Sequence, residues 1–144
     1  MNLWTEAYVS EGEGGRTVPY SRADFFETFR HGQVFVAERE GVVVGVVALA
    51  APGTPGRAVA QAEEAELSRL VVSASARCLG IGQALVGHCH EQAKAAGWNT
   101  IALWSRRYQT AAHRLYQSLG YERVPERDQT DASGHERLVF RLAL

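Results

Sequence analysis

Arg77-Cys78-Leu79-Gly80-Ile81-Gly82 lies between a branched-apolar run, residues 66–72 (ELSRLVV), and a segment of helical composition, residues 80–96. Two glycines one residue apart at the mouth of a helix let the backbone approach a ligand with no Cβ in the way. The first helical turn leaves its N–H groups unpaired, and together with the positive end of the helix dipole they form an anion site. Arg77 adds a full charge beside it, so a phosphate fits this turn. The plain alternative is a strand-to-helix turn whose glycines serve close packing. Spacing argues against two other phosphate loops. A P-loop requires Lys-Ser/Thr after its second glycine, where this chain has Gln83 and Ala84. A dinucleotide fingerprint requires a third glycine or alanine where Leu85 stands, and a strand that runs almost directly into the first glycine.

What residues 77–82 do match is the Arg/Gln-x-x-Gly-x-Gly/Ala signature of the GCN5-related N-acetyltransferase (GNAT) family, preceded by the Glu-Leu-x-x-Leu-x-Val strand that usually comes before it. A second stretch, residues 112–121 (AHRLYQSLGY), resembles that family's Ala-x-x-x-Tyr-x-x-x-Gly-Phe/Tyr helix and turn. Both landmarks occur in the family's order, and with the strand between them they cover roughly half the chain. The resemblance implies an α/β fold with a mixed, mostly antiparallel sheet flanked by helices. In it the fourth and fifth strands, here residues 66–72 and 100–105, splay so that acetyl-CoA wedges between them. It also implies a cofactor site. Backbone from Arg77, Cys78, Leu79, Gly80, Ile81, Gly82 and Gln83 takes the pyrophosphate, strand amides around Leu70, Val71 and Val72 hold the pantetheine arm, and Gln109 stands where an asparagine is common.

Acetyl transfer to an amine also needs an acid for the leaving thiolate and help in deprotonating the amine. Tyr116 matches the family's recurrent tyrosine; a phenol with pKa near ~10 is protonated at neutral pH, and a sulfur with pKa near ~8.5 can accept its proton. The alternative is a core aromatic, since Tyr116 shares a helical stripe with Ala112 and Leu119. An alkylammonium is only about one part in a thousand neutral at pH 7, so a base helps. Glu66, at the start of the central strand, is the best-placed carboxylate; the alternative is a strand-end glutamate facing solvent. Glu63 and Glu64 read as a solvated charge run. The acceptor implied is a small-molecule or peptide amine. A reading from another class stays open, a non-catalytic acyl-CoA-binding or regulatory module.

Three other sets of residues fit chemistry less well. His88-Cys89-His90 cannot converge on one metal ion, because consecutive helical positions point about 100° apart. Cys89 instead lines up with Ile81, Leu85 and Ala93 as a core position. No spacing supports Cys78 as a nucleophile. Trp104, Arg106 and Arg107 end a cleft strand and either line the acceptor pocket or cap the fold.

The elements that must position these residues follow from periodicity. A length of 144 residues suits one domain. Fifteen basic against sixteen acidic side chains give no electrostatic reason to expect nucleic acid or an anionic membrane. The longest apolar run, residues 42–51, is too short for a membrane span and is broken by Gly45. Glu6 and Glu11 fall where a signal peptide needs apolar residues, so a cytoplasmic setting with two free thiols is expected. Residues 3–9 resemble the end of a first helix whose preceding strand is missing. Ser21 caps a second helix carrying Phe25, Phe26 and Phe29, and Gly32 stops it.

Residues 33–38 and 42–50 predict a hairpin across Arg39-Glu40-Gly41, and residues 52–56 a loop. Residues 57–65 either extend the sheet or hang beside it. Residues 100–105 predict a strand, 110–119 a helix closed by Gly120, and 121–124 a strand stopped by Pro125. Residues 126–134 are a polar loop, and 136–144 alternate as a half-buried strand. With the first strand missing, the 34–38 edge lies open and predicts a homodimer or a strand supplied by another segment.

Overall fold

The computed structural model describes residues 30–144. The expectations of a short first helix, a Ser21 helix and an absent first strand fall outside the described residues. The first hairpin pairs β1 (Gly32–Arg39) with β2 (Val42–Ala50) in antiparallel register, Arg39 opposite Val42. Its two-residue turn puts Glu40 at φ 53° and Gly41 at φ 78°, the left-handed pair that matches the twist of the flanking strands. Arg30 and His31 are helical and Gly32 opens β1, so a helix ends where Gly32 was expected to stop it.

Next come β3 (Ala65–Val72), α1 (Ile81–Ala95), β4 (Thr100–Ser105) and α2 (Thr110–Ser118). The chain closes with β5 (Glu122–Arg123), β6 (Gln129–Thr130) and β7 (Glu136–Ala143). The strand order is β1-β2-β3-β4-β7-β5, with β6 also pairing onto β7. Among the described residues only β3 and β4 run parallel; every other pair is antiparallel. This is the mixed α/β sheet expected from the sequence.

Both helices end the same way. At α1 the Gly97 amide bonds Lys94 O and the Trp98 amide bonds Ala93 O; at α2 Gly120 bonds Gln117 O and Tyr121 bonds Tyr116 O. Each glycine has φ near +80° to +96°, the left-handed conformation this double cap requires. The helices cover one face of the sheet. There Val47, Leu49, Leu67, Ile101, Leu103 and Phe140 pack on Leu85, Val86, Cys89 and Ala93 of α1 and on Tyr116 of α2. Burying each large apolar side chain contributes about 1.5–3 kcal/mol. Gly45 marks how closely α1 approaches, since a Cβ there would lie 2.9 Å from Leu85 Cδ1. The opposite face carries a smaller cluster of Val59, Ala102 and Val139.

Residues 57–64 do not extend the sheet. They form an irregular loop against this second face, and Val59 is buried there. Glu64 is not part of a solvated run: it is buried, and it accepts hydrogen bonds from the Gln61 amide, Arg127 and Arg141. The strand expected over 121–124 shrinks to Glu122–Arg123, because a turn at Pro125–Arg127 follows at once.

The feature that makes a site is the parting of β3 from β4. Their ladder holds only at Ala65 with Ile101 and Glu66 with Ala102. The β2–β3 register slips between Val46 opposite Val71 and Ala48 opposite Ser68, and Arg69 sits there at φ 57°. This is a bulge, and a bulge bends and twists its strand, here away from β4.

Candidate active site

Where β3 and β4 separate, a cleft of about 1110 Å³ opens. One wall is β3 from Glu66 through Leu70, Val71 and Val72, continuing into the turn with Arg77, Cys78, Gly80, Ile81, Gly82 and Gln83. The other wall carries Trp104, Ser105, Arg106 and Gln109, and then Ala112, Leu115 and Tyr116 of α2. The candidate catalytic and cofactor-binding residues therefore share one cleft, with Leu79 the exception. Its side chain is 54% exposed and is not in the wall.

The two glycines of the turn do different work. Gly80 is the N-cap of α1 at φ 78°, and a Cβ there would touch nothing within 4 Å, so conformation rather than space requires glycine. Gly82 is ordinary helix, but a Cβ there would lie 3.4 Å from Leu115 Cδ2 and 3.8 Å from Val72 Cγ2, in the gap between α1, α2 and β3. Close packing therefore accounts for Gly82, and backbone conformation for Gly80. The first ladder bond of α1 runs from the Ala84 amide to Gly80 O, which leaves the amides of Ile81, Gly82 and Gln83 without intrahelical partners. Arg77 lies beside them, its Nε donating to Val72 O at 3.3 Å. Such a turn can hold a phosphate.

Glu66 does not face solvent; it is 2% exposed. Its Oε1 accepts the amides of Val59 at 2.6 Å and Ala60 at 2.9 Å, and its Oε2 accepts the Ala58 amide at 2.8 Å. Oε2 thereby keeps more free lone-pair capacity than Oε1. Burial pushes the carboxyl above the usual glutamate value and outweighs the three amides and Arg57, which pull it down. A carboxylate so placed can take a proton nearer neutrality than a solvated one.

Tyr116 is both a core aromatic and a cleft residue. It is 5% exposed, it packs 5.7 Å from Tyr121 and 6.0 Å from Phe140, and it lines the cavity. Gln109 also reaches the cleft, but its side-chain oxygen is used locally, accepting Ser105 Oγ at 3.0 Å and the Arg106 amide at 2.8 Å. It braces the turn into α2.

Sequence reasoning missed Asp131 and Arg137. Arg106, left open between pocket and cap, does both: Nη2 meets Asp131 Oδ2 at 3.0 Å and Nη1 donates to Glu136 O at 3.0 Å, which ties the 131–136 segment over the cleft. Burial raises Asp131, but hydrogen bonds from Ser133, His135 and Arg106 win and hold it well below the usual carboxylate range. The indole of Trp104 contacts two guanidinium groups, Arg106 at 4.7 Å and Arg137 at 5.2 Å from the ring centroid. The polar positions of the 136–144 alternation were the signal for Arg137. Arg107 instead pairs with Glu136 at the exposed surface.

Among the described residues no cluster of three His, Cys, Asp or Glu is placed to hold a metal ion. Within the His88-Cys89-His90 run, His88 packs edge-on to Phe35, His90 Nε2 lies 2.9 Å from Tyr121 Oη, and Cys89 is fully buried with its thiol pushed up to about 12. Cys78 is exposed and unbridged. No helix among the described residues is long and apolar enough to cross a membrane.

A bulge-split β3/β4 pair, an open helix N-terminus after Gly80 and a tyrosine on the second helix define an acyl-transferase type of cleft. Residues 1–121 match the Acetyltransferase (GNAT) family, and the chain belongs to that family. It is 34% identical over 130 residues to "N-acetyltransferase family 8 member 3" of Rattus norvegicus, a match covering 88% of this chain and 56% of that one. It is 33% identical over 117 residues to the "N-acetylaspartate synthetase" of Danio rerio, covering 75% and 38%. The chain thus spans about half or less of the length of these curated relatives. In fold it is similar to the PaiA N-acetyltransferase of Thermoplasma acidophilum solved with coenzyme A, with TM-score 0.71, 16% identity and coverage of 99% and 89%.

Proposed function

We propose that this chain is an acetyl-CoA-dependent N-acetyltransferase that acts on a primary amine of a small molecule or peptide by direct attack in a ternary complex. The observation that carries the reading is the cleft at the β3/β4 split, which joins the open amides after Gly80 to Glu66 and Tyr116. Acetyl-CoA supplies an activated thioester whose acetyl group the amine takes.

In this reading the Ile81, Gly82 and Gln83 amides and Arg77 hold the pyrophosphate, and the β3 backbone from Leu70 to Val72, freed from β4, orients the pantetheine arm. Glu66 accepts the amine proton at Oε2, directly or through one water. Tyr116 donates its hydroxyl proton to the departing thiolate. The amine nitrogen gains the bond to the acetyl carbon as the carbon–sulfur bond breaks. The ammonium gives one proton to Glu66 before attack, and the second, lost from nitrogen after attack, restores the Tyr116 hydroxyl, so charge and protons balance. The relative named for N-acetylaspartate, a protein whose name gives an acetylated amino acid as its product, supports a small amino-bearing acceptor. A cytoplasmic setting belongs to the same proposal, supported by two unbridged cysteines.

The test is calorimetric titration with acetyl-CoA, followed by thiol release across a panel of amines and peptides. Tight cofactor binding with no turnover on any amine would favour the non-catalytic binding module instead. A homodimer is also proposed. Among the described residues β1 ends the sheet, and Val36, Val42 and Val43 are exposed there. Sedimentation checks it, and a monomer at high protein concentration would discard it.

A further inference from the structure

We propose that the acceptor amine carries a carboxylate and that Arg137 receives that carboxylate. The inference rests on the acetyl-transfer reading above and names the acceptor class of the same cleft. Its starting point is an asymmetry around Trp104. Two guanidinium groups lie against one indole, and cation–π contact orients both. Arg106 has its counter-ion, Asp131 Oδ2 at 3.0 Å. Arg137 has none among the described residues. Its Nη1 reaches only the neutral Gln129 Oε1, at 3.3 Å, and its Nε is shielded from water with no hydrogen-bond partner. Shielded donors are nearly always bonded, so an unfilled one beside a ligand cleft marks where a ligand acceptor belongs.

The charge balance of the walls points the same way. Five arginines line the cleft against two carboxylates, Glu66 and Asp131. Arg106 and Asp131 cancel. Arg77 stands at the phosphate turn, and Arg57 is engaged with the carbonyls of Thr54, Gln61 and Glu64. Arg69 belongs to the β3 wall, in the bulge, and Arg137 is the arginine on the acceptor face with no counter-ion among the described residues. The register fixes where: Val139 pairs with Trp104, so Arg137, two residues earlier on β7, shares its face beyond the end of β4, while Glu66 shares that face through Ala102 at the closed end of the split. An acceptor can then extend its amine toward Glu66 and its carboxylate toward Arg137. The planar guanidinium fork matches a carboxylate in two parallel hydrogen bonds.

The test uses the full chain. Acetyl-CoA binding is measured first by calorimetry. Thiol release is then compared within matched acceptor pairs: aspartate with asparagine, each free amino acid with its α-amide, and glycylglycine with glycylglycinamide. In the parent, at least one acid should exceed its amide by about 10-fold or more in kcat/KM. Arg137→Gln should raise KM for that acid about 10- to 100-fold, the range for losing a charged hydrogen-bond pair. It should leave kcat and the acetyl-CoA KM unchanged and erase the acid-over-amide preference, and Arg137→Lys should restore part of it. The parent comparison stands even if a variant folds poorly. Cofactor binding with turnover of amides at least as good as acids, or an unchanged KM in Arg137→Gln, overturns this proposal and leaves acetyl transfer intact. Absence of cofactor binding overturns both.

Discussion

The Glu66 carboxylate accepts the Val59 amide at 2.6 Å, so one side chain both lines the cleft and fixes the loop packed on that face of the sheet. A solvated carboxylate could lose its charge with no effect on stability, but this buried one cannot. Glu66→Gln places an amide NH₂ or a weaker acceptor against three N–H donors and should lower stability by about 1–3 kcal/mol in urea denaturation. It should also remove the acidic limb of the kcat/KM profile for the acceptor. A base must be ionised to act, and burial raises this carboxyl, so the parent should lose activity at a higher pH than an ordinary glutamate would dictate. A parent-like profile in a folded variant would assign Glu66 to the loop alone.

Tyr116 packs against Tyr121 and Phe140, and phenylalanine preserves that packing while deleting the hydroxyl. If the hydroxyl protonates the thiolate, Tyr116→Phe should lower the single-turnover rate by about 10²-fold with acetyl-CoA affinity and melting temperature nearly unchanged. An unchanged single-turnover rate would leave water or another group as the acid.

The two turn glycines should fail differently. Gly80→Ala forces a side chain into the left-handed region and should cost about 1 kcal/mol of stability, read by thermal melting, with no steric block at the cleft. Gly82→Val has no such backbone penalty. Its Cβ meets Leu115, and its branches crowd the amides at the helix start, so the main loss should appear as weaker acetyl-CoA binding in calorimetry. Equal affinity in the Gly82→Val protein and the parent would move the phosphate site elsewhere.

Asp131 titrates lower in the folded chain than in the unfolded one, where the reference is about 3.9. A depressed carboxyl stabilises the fold above the unfolded value, and that contribution fades as pH falls below about 4. Asp131→Asn should therefore cost about 3 kcal/mol at pH 7, because Arg106 is left buried without its charge partner. At pH 3 the gap between variant and parent should narrow. A constant gap from pH 7 to pH 3 would mean that Asp131 acts through packing rather than charge.

Local chemistry determined what the sequence could disclose. The turn at Glu40-Gly41, Gly120 after the second helix and the open amides behind Gly80 follow from backbone sterics over a few residues, and alternation over 136–144 marked the strand now seen as β7. The Glu66-to-Tyr116 grouping was legible because two short motifs carried it.

What lay beyond reach depends on partners far apart in the chain. Glu64 meets Arg127 across 63 positions and Arg141 across 77, and Arg106 meets Asp131 across 25. Residues 57–64 have no periodicity to mark them as a wall, and Glu64 and Glu66 look alike as letters until the fold buries both. Periodicity encodes which face a residue presents; it does not encode which distant charge will face it. Only the splaying of β3 from β4 and the docking of the 57–64 and 131–136 segments on the far face decided that Glu66 would be clamped, Arg106 neutralised and Arg137 left facing the cleft.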